Sequence, residues 1–332
     1  MKEGYDKLVR SIFQLQHGDE LGFNELSLKL FKVHQKRNPV YREFVLHLNV
    51  DPKSVNHVSK IPFLPIQLFK HHRVSLFKDG EDLVFESSGT TGQIPSKHFV
   101  ADENVYERSS LSGFRKAYGN PSDYCILALL PSYLDRSNSS LVHMAKLLIR
   151  ESGHRDGGFY LDRLTSLSKL LKKNTAAGQK TLLLGVTFGL LDLAEKHPQQ
   201  LENCIIMETG GMKGRRREMP REEVHGILKN AFEVDQIHSE YGMTELLSQA
   251  YSDGDGIFST PPWMKIQLRD MTDPLSQSER NSGAVNIIDL ANVLSCPFIA
   301  TSDLGEMVGK HRFKILGRTD QSDIRGCNLM LA

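Results

Sequence analysis

Thr181-Leu182-Leu183-Leu184-Gly185-Val186, followed at once by the helical stretch Phe188–Lys196, is the unit that decides the architecture. An uncharged run of six residues bounded by turn signals and followed by helical spacing reads as a fully buried strand and its crossover helix. The same alternation recurs on either side: Tyr124–Leu130 then Leu141–Ile149, Asn203–Met207 then Arg221–Ala231, and Val234–Ile237 then Thr244–Gln249. Repeated strand-helix units predict an α/β fold with a parallel sheet. From Trp263 onward the pattern changes to the short runs Lys265–Leu268, Ala284–Asp289, Phe298–Ala300 and Arg312–Leu316. Joined by turns, these predict an antiparallel sheet or small barrel, with the polar stretch Asp270–Gly283 as a loop. Upstream, residues 5–17 and 24–34 carry apolar side chains at helical spacing. Ile61-Pro62-Phe63-Leu64-Pro65 then interrupts helix twice and leads through Gln67-Leu68-Phe69-Lys70 to the first strand. Ala101-Asp102-Glu103-Asn104 offers a capped, acidic start to a helix reaching Tyr118.

Chemistry concentrates first in Phe85-Glu86-Ser87-Ser88-Gly89-Thr90-Thr91-Gly92-Gln93-Ile94-Pro95-Ser96-Lys97, a strand running into a hydroxyl-rich loop. Gly89 and Gly92 let successive N–H groups converge on an anion, Ser87, Ser88, Thr90 and Thr91 add donors, and Lys97 adds a positive charge. An ordinary surface loop has the same composition, so both readings stand at this point. The loop is not a Walker A sequence, because no second glycine precedes the lysine at the required spacing.

Composition narrows the classes. In 332 residues, 41 Lys plus Arg balance 40 Asp plus Glu to a net charge of +1, so no global field draws the chain to nucleic acid or an anionic membrane. The longest apolar run, Tyr124–Leu130, is seven residues and ends at Pro131, against the ~20 needed to span a bilayer. The first residues carry no apolar signal core, from which a cytoplasmic, reducing compartment is expected, with Cys125, Cys204, Cys296 and Cys327 as free thiols. No Cys or His spacing matches a zinc site.

Three further stretches follow the loop in order: Ser239-Glu240-Tyr241-Gly242-Met243-Thr244-Glu245, Thr301-Ser302-Asp303-Leu304-Gly305-Glu306 and Gly317-Arg318-Thr319-Asp320. Together with the loop they resemble the core motifs of the adenylate-forming enzymes, from about Pro62 to the last residue. Thr209-Gly210-Gly211-Met212-Lys213-Gly214-Arg215-Arg216, Leu130-Pro131-Ser132-Tyr133-Leu134 and Arg325-Gly326-Cys327 bring the resemblance closest to the branch of acyl-protein synthetases and phenylacetate-CoA ligases. The implied fold is the large domain of that superfamily, with parallel βαβ sheets and a small antiparallel or barrel subdomain. Its expected division is a helical cap over 1–60, an α/β nucleotide-binding core over 61–255 and a β-rich part over 256–332 that completes the AMP site. The mobile lid domain that follows in most of the superfamily is expected to be absent, since the chain stops at Ala332.

The resemblance implies roles residue by residue. Ser88, Gly89, Thr90, Thr91, Gly92 and Lys97 would hold the β- and γ-phosphates of ATP, Thr244 the α-phosphate, and Glu245 a Mg²⁺ ion. Gly210 and Gly211 would lie against adenine with Tyr241 on its other face, Asp303 would accept from the ribose hydroxyls, and Arg318 would reach the ribose or α-phosphate. Ser132, Tyr133, Arg136 and Ser139 would line the acyl pocket, while Arg215-Arg216-Arg217 reads as a solvated face. Cys327 matches the cysteine that acyl-protein synthetases load from the adenylate, and a thiolate is a suitable nucleophile for an activated acyl group. The implied activity is ATP-dependent adenylation of a carboxylic, in this family fatty, acid and its transfer to a protein thiol, serving an acyltransferase or reductase partner. A phenylacetate-type CoA ligase and a non-catalytic nucleotide- or acyl-adenylate-binding subunit are the alternatives.

Overall fold

The structure, a computed structural model, describes residues 2–78, 80, 83–87, 94–130, 138–161, 163–210, 217, 219–273 and 275–318. In chain order its helices are α1 (Lys2–Gln14), α2 (Glu20–Arg37), α3 (Pro39–His47), α4 (Leu68–His71), α5 (Glu103–Tyr118), α6 (Ser140–Ser152), α7 (Leu164–Ala176), α8 (Thr187–Lys196) and α9 (Arg221–Phe232). Its strands are β1 (Leu64–Pro65), β2 (Leu83–Glu86), β3 (Lys97–Val100), β4 (Cys125–Leu129), β5 (Gly158–Phe159), β6 (Thr181–Val186), β7 (Cys204–Thr209) and β8 (His238–Tyr241). They continue as β9 (Ala250–Ser252), β10 (Phe258–Ser259), β11 (Met264–Arg269), β12 (Ser282–Asp289), β13 (Phe298–Met307) and β14 (Arg312–Arg318). Among the described residues no helix is long and apolar enough to cross a membrane.

The expected parallel sheet is present as β5-β4-β6-β7-β8. All residues of β4 and β6 are buried, which is why both read as continuous apolar runs. Helix α8 follows β6 without a connecting residue. A Cβ at Gly185 would stand 2.6 Å from the Leu190 side chain, so only glycine lets the helix fold back this closely. Beyond β8 the sheet changes direction: β9, β10, β14, β13, β12 and β11 continue it antiparallel, with β1 beside β13. The late strands are therefore not a separate sheet but an extension of the parallel one. Strand β11 buries every second residue, the period of a sheet with one face on the core.

Two expectations are corrected here. Thr244–Gln249 is not a helix; it is an irregular connection between β8 and β9. Its backbone is claimed by outside partners, chiefly the buried Asp289, which accepts from the N–H groups of Leu247 and Ser248, each at 2.9 Å. The strand placed at Val234–Ile237 lies four residues later, at His238–Tyr241, and Phe298–Ala300 is only the start of the longer β13. Strand β5, helix α7 and the helical Leu68–His71 turn are additions that the apolar pattern did not show.

The amino-terminal helices dock through polar groups placed at their ends. Asn38 terminates α2 and caps α3, its side chain accepting from Tyr41 N–H at 3.2 Å, with Pro39 at the first helical position. Its amide also donates to the Ser295 carbonyl at 2.7 Å, and His34 Nε2 donates to the Val293 carbonyl at 3.0 Å. Both anchor the cap to the β12–β13 connection. The other His34 nitrogen faces the Asn38 amide at 3.4 Å and accepts from it, so the ring is held neutral. Trp263, fully buried, packs edge-on to Phe13 of α1 at 4.9 Å and donates to Ser248 Oγ at 2.9 Å. It thereby ties the cap to the connection after β8.

Burial lowers His34 and His98 from 6.5 to about 4 each. The unfolded chain then binds the extra protons first, so this stability is complete above pH 6.5 and is lost as pH falls through 4. The expected loss is on the order of 3 kcal/mol per histidine. Urea unfolding at pH 7 and pH 4.5 measures it, and His34→Gln should reduce the difference. A stability unchanged between the two pH values would overturn the assignment of neutral buried rings.

Candidate active site

The carboxyl ends of parallel strands are where an open α/β sheet leaves a crevice for ligands. Here β7 ends at Thr209 and turns at Gly210, whose φ of +75° is a conformation that suits glycine. Neighbouring β8 ends at Tyr241. The Tyr241 hydroxyl donates to Asp303 Oδ2 at 2.7 Å, and Arg318 Nε lies 3.3 Å from Asp303 Oδ1. Asp303 and Arg318 stand opposite each other in the β13–β14 pairing. Thus the antiparallel strands bring a buried carboxylate and an exposed cation to the end of the parallel ones.

Glu245 is 4% exposed. Burial raises its carboxyl above the ordinary range, opposed by a hydrogen bond from Ser96, and it senses the charges of both Arg318 and Asp303. The segment that carries it is fixed from three directions. His98 Nδ1 donates to the Thr244 carbonyl at 2.8 Å, Asn292 Nδ2 donates to the Glu245 carbonyl at 2.9 Å, and Asp289 holds the N–H groups of Leu247 and Ser248. Asp289 is fully buried and also accepts from Ser248 Oγ at 2.6 Å and Ala291 N–H at 3.1 Å. Burial raises this carboxyl and the donors oppose the rise, and so many fixed partners make it an anchor for the segment.

Of the residues singled out in the sequence, Tyr241, Glu245, Asp303 and Arg318 form one group, with Thr244 beside it and Gly210 at the end of the adjacent strand. The glycine-rich loop is the connection of the β2–β3 hairpin, and Ser87 closes its base by accepting from Ser96 N–H at 2.8 Å. Lys97 is half exposed and lies 3.2 Å from Glu86, its partner across that hairpin. Ser139 is the amino-terminal cap of α6. Ser88, Gly89, Thr90, Thr91, Gly92, Gly211, Ser132, Tyr133, Arg136 and Cys327 lie outside the described residues.

Sequence reading missed His98, Ser96, Asp289 and Asn292, all of which position the Thr244-Glu245 segment. Asp289 alone carried a signal, since an aspartate closing the apolar run Ala284–Asp289 is a charge where burial was expected. It also passed over Glu240, although that residue stands within the quoted motif. Thr209 Oγ1 donates to Glu240 Oε2 at 2.5 Å, and burial pushes this carboxyl up to about 7, with the charge of Glu208 adding to the rise.

Comparison with known proteins bears on the fold. Residues 13–140 match the family described as Acyl-protein synthetase, LuxE. No curated protein matches the chain. Among solved structures, 2-hydroxyisobutyryl-CoA ligase in the postadenylation state in complex with R3-HIB-AMP aligns with a TM-score of 0.66 and 12% identity, over 94% of this chain and 70% of the ligase. ATP-bound MatB from Rhodopseudomonas palustris aligns with a TM-score of 0.53 and 17% identity, over 73% of this chain. The present chain spans about half the length of that protein, 49% of it being covered. The described fold is accordingly that of the adenylate-forming ligases, and residues 13–140 carry the acyl-protein synthetase family match.

Proposed function

We propose that this chain uses ATP to activate a carboxylic acid as its acyl adenylate and then passes the acyl group to a thiol, as an AMP-forming acid-thiol ligase. The observation that supports this most is the meeting of Tyr241, Glu245, Asp303 and Arg318 where parallel and antiparallel strands converge. Attack of a carboxylate on the α-phosphate brings two anions together, and cationic or N–H groups must neutralise the developing charge. Arg318 is the exposed cation at the site, and Thr244 adds a hydroxyl donor. Asp303 would accept from the ribose hydroxyls, and Tyr241, which it orients, would lie against adenine together with Gly210. Lys97 and the glycine-rich loop would hold the outer phosphates.

Glu245 fits the role of Mg²⁺ ligand, being a hard oxygen donor whose burial disfavours its charge in the absence of a cation. Mg²⁺ when bound supplies positive charge to the phosphates. The family resemblance offers a fatty acid as substrate, Cys327 as acceptor, and an acyltransferase or reductase as the protein that takes the acyl group onward.

Glu245→Gln should leave the circular dichroism spectrum intact and lower acid-dependent pyrophosphate exchange by at least a hundredfold, since removal of a metal ligand forfeits several kcal/mol at the phosphoryl centre. Exchange within a few-fold of the parent protein would exclude the metal role.

Asp303→Ala should weaken ATP binding more than it slows adenylation. Hydrogen bonds to a charged acceptor contribute about 1.5–3 kcal/mol each, and the ribose lies away from the reacting phosphate. Calorimetric titration with a non-hydrolysable ATP analogue measures this, and an unchanged affinity would remove Asp303 from the nucleotide site.

Incubation with ATP, Mg²⁺ and a labelled acid should give a hydroxylamine-labile protein adduct that Cys327→Ser abolishes while pyrophosphate exchange survives. A label that persists in this variant would assign the acceptor to another group.

A further inference from the structure

Immediately beside the nucleotide-facing group is a second set of polar side chains for which the adenylation chemistry has no use. Glu240 precedes Tyr241 on β8, and its side chain leaves the opposite face of that strand. One of its oxygens is taken by Thr209, the last residue of β7; among the described residues Oε1 has no partner. Directly across the β8–β9 pairing stands Tyr251, which is 7% exposed and whose hydroxyl has no hydrogen-bond partner among the described residues. The charge of Glu240 reaches that hydroxyl. Gln249, two residues earlier and 6% exposed, likewise has an unpartnered Oε1.

Three buried or half-buried polar groups left unsatisfied so close together run against the usual pairing of polar groups in protein interiors. Groups of this kind are retained where something outside the chain completes them. Gly242 is exposed and Glu240 Oε1 adjoins it, so Glu240 is the group an entering ligand would meet first, with Gln249 Oε1 and the Tyr251 hydroxyl buried behind it. A Cβ at Gly242 would collide with Glu240 Oε1, so the absence of a side chain there leaves the carboxyl uncovered.

We propose that Glu240, Gln249 and Tyr251 form a subsite for a hydrogen-bond donor on the chain of the acid being activated, so that the substrate is a hydroxyl- or amine-bearing carboxylic acid rather than an unsubstituted one. This rests on the reading that the chain adenylates a carboxylic acid. Ionised Glu240 and Gln249 Oε1 are both acceptors, which calls for a donor on the ligand. Tyr251 adds a hydroxyl that turns to suit either partner. A site built to bond a hydroxyl or ammonium rejects the analogue lacking it, because its own groups are then left unpaired. A hydroxylated fatty acid meets both this requirement and the family resemblance.

The test is pyrophosphate exchange with acids matched in chain length that carry hydrogen, hydroxyl or amine at successive positions. At least one hydroxyl- or amine-bearing acid should show a kcat/KM tenfold or more above its unsubstituted counterpart. The two polar series distinguish a neutral donor from a cationic one. Glu240→Leu should reverse that preference, and Gly242→Ala, which keeps the carboxyl but covers it, should erase most of it. Exchange that is strongest with unsubstituted acids, or a preference unchanged in both variants, would overturn the subsite while leaving adenylation intact. Exchange with no acid at all would overturn adenylation itself, and the subsite with it. Circular dichroism on both variants, and titration of ATP into them, separate a lost preference from a lost fold.

Discussion

A single hydrogen bond, from the Tyr241 hydroxyl to Asp303 at 2.7 Å, expresses the constraint on which the site depends. Tyr241 lies on β8 and Asp303 on β13, and three strands, β9, β10 and β14, stand between them in the sheet. At about 4.8 Å per strand a flat sheet would hold these positions roughly 19 Å apart. The sheet must therefore curl, and the intervening β9 and β10, three and two residues long, are short enough to let it do so. The aromatic rings of Tyr241, Phe258 and Phe313 fill the inside of the curl, at centroid separations of 5.5–5.7 Å. Curling turns a run of strands into a crevice whose two sides come from residues 62 apart in the chain.

Around that crevice the molecule uses buried polar groups in two different ways. Asp289, His34 and Asn38 are satisfied and serve as fastenings: each replaces water with several protein partners and so joins segments far apart in the chain. Glu240 and Gln249 are incompletely satisfied and stand beside the crevice. Asp289 holds the connection after β8 in a shape that no local pattern would choose, while His34 and Asn38 fasten the helical cap to the β12–β13 connection. Precision of placement and chemical demand are thus supplied by neighbouring side chains with opposite roles.

The elements legible in the sequence were those for which local and tertiary preferences agree. Strands β4 and β6 are buried on both faces, so they read as near-continuous apolar runs, and α5 and α9 each carry a buried stripe at helical spacing. Asp102 was readable as a cap because its side chain bonds the Asn104 N–H within the same turn. The motifs containing Tyr241, Glu245, Asp303 and Arg318 were readable as a set because together, and in order, they resemble the core motifs of the adenylate-forming enzymes. What failed was the segment 244–249, whose apolar spacing Leu246-Leu247 suggested a helix.

By itself the sequence determined the class of fold and the parallel character of its central units, since hydrophobic periodicity is a local property, and its resemblance to the adenylate-forming motifs singled out four residues that meet at the crevice. Only the tertiary structure decided that the late antiparallel strands extend the same sheet, that the segment after Tyr241 stays irregular, and that Glu240 faces Tyr251 and Gln249. Each of these depends on partners remote in the chain: Asp289 lies 42 residues from Leu247, and Asp303 lies 62 from Tyr241. No local pattern encodes such pairings, because the backbone bonds that would have made 244–249 a helix are outcompeted by a buried carboxylate from another strand.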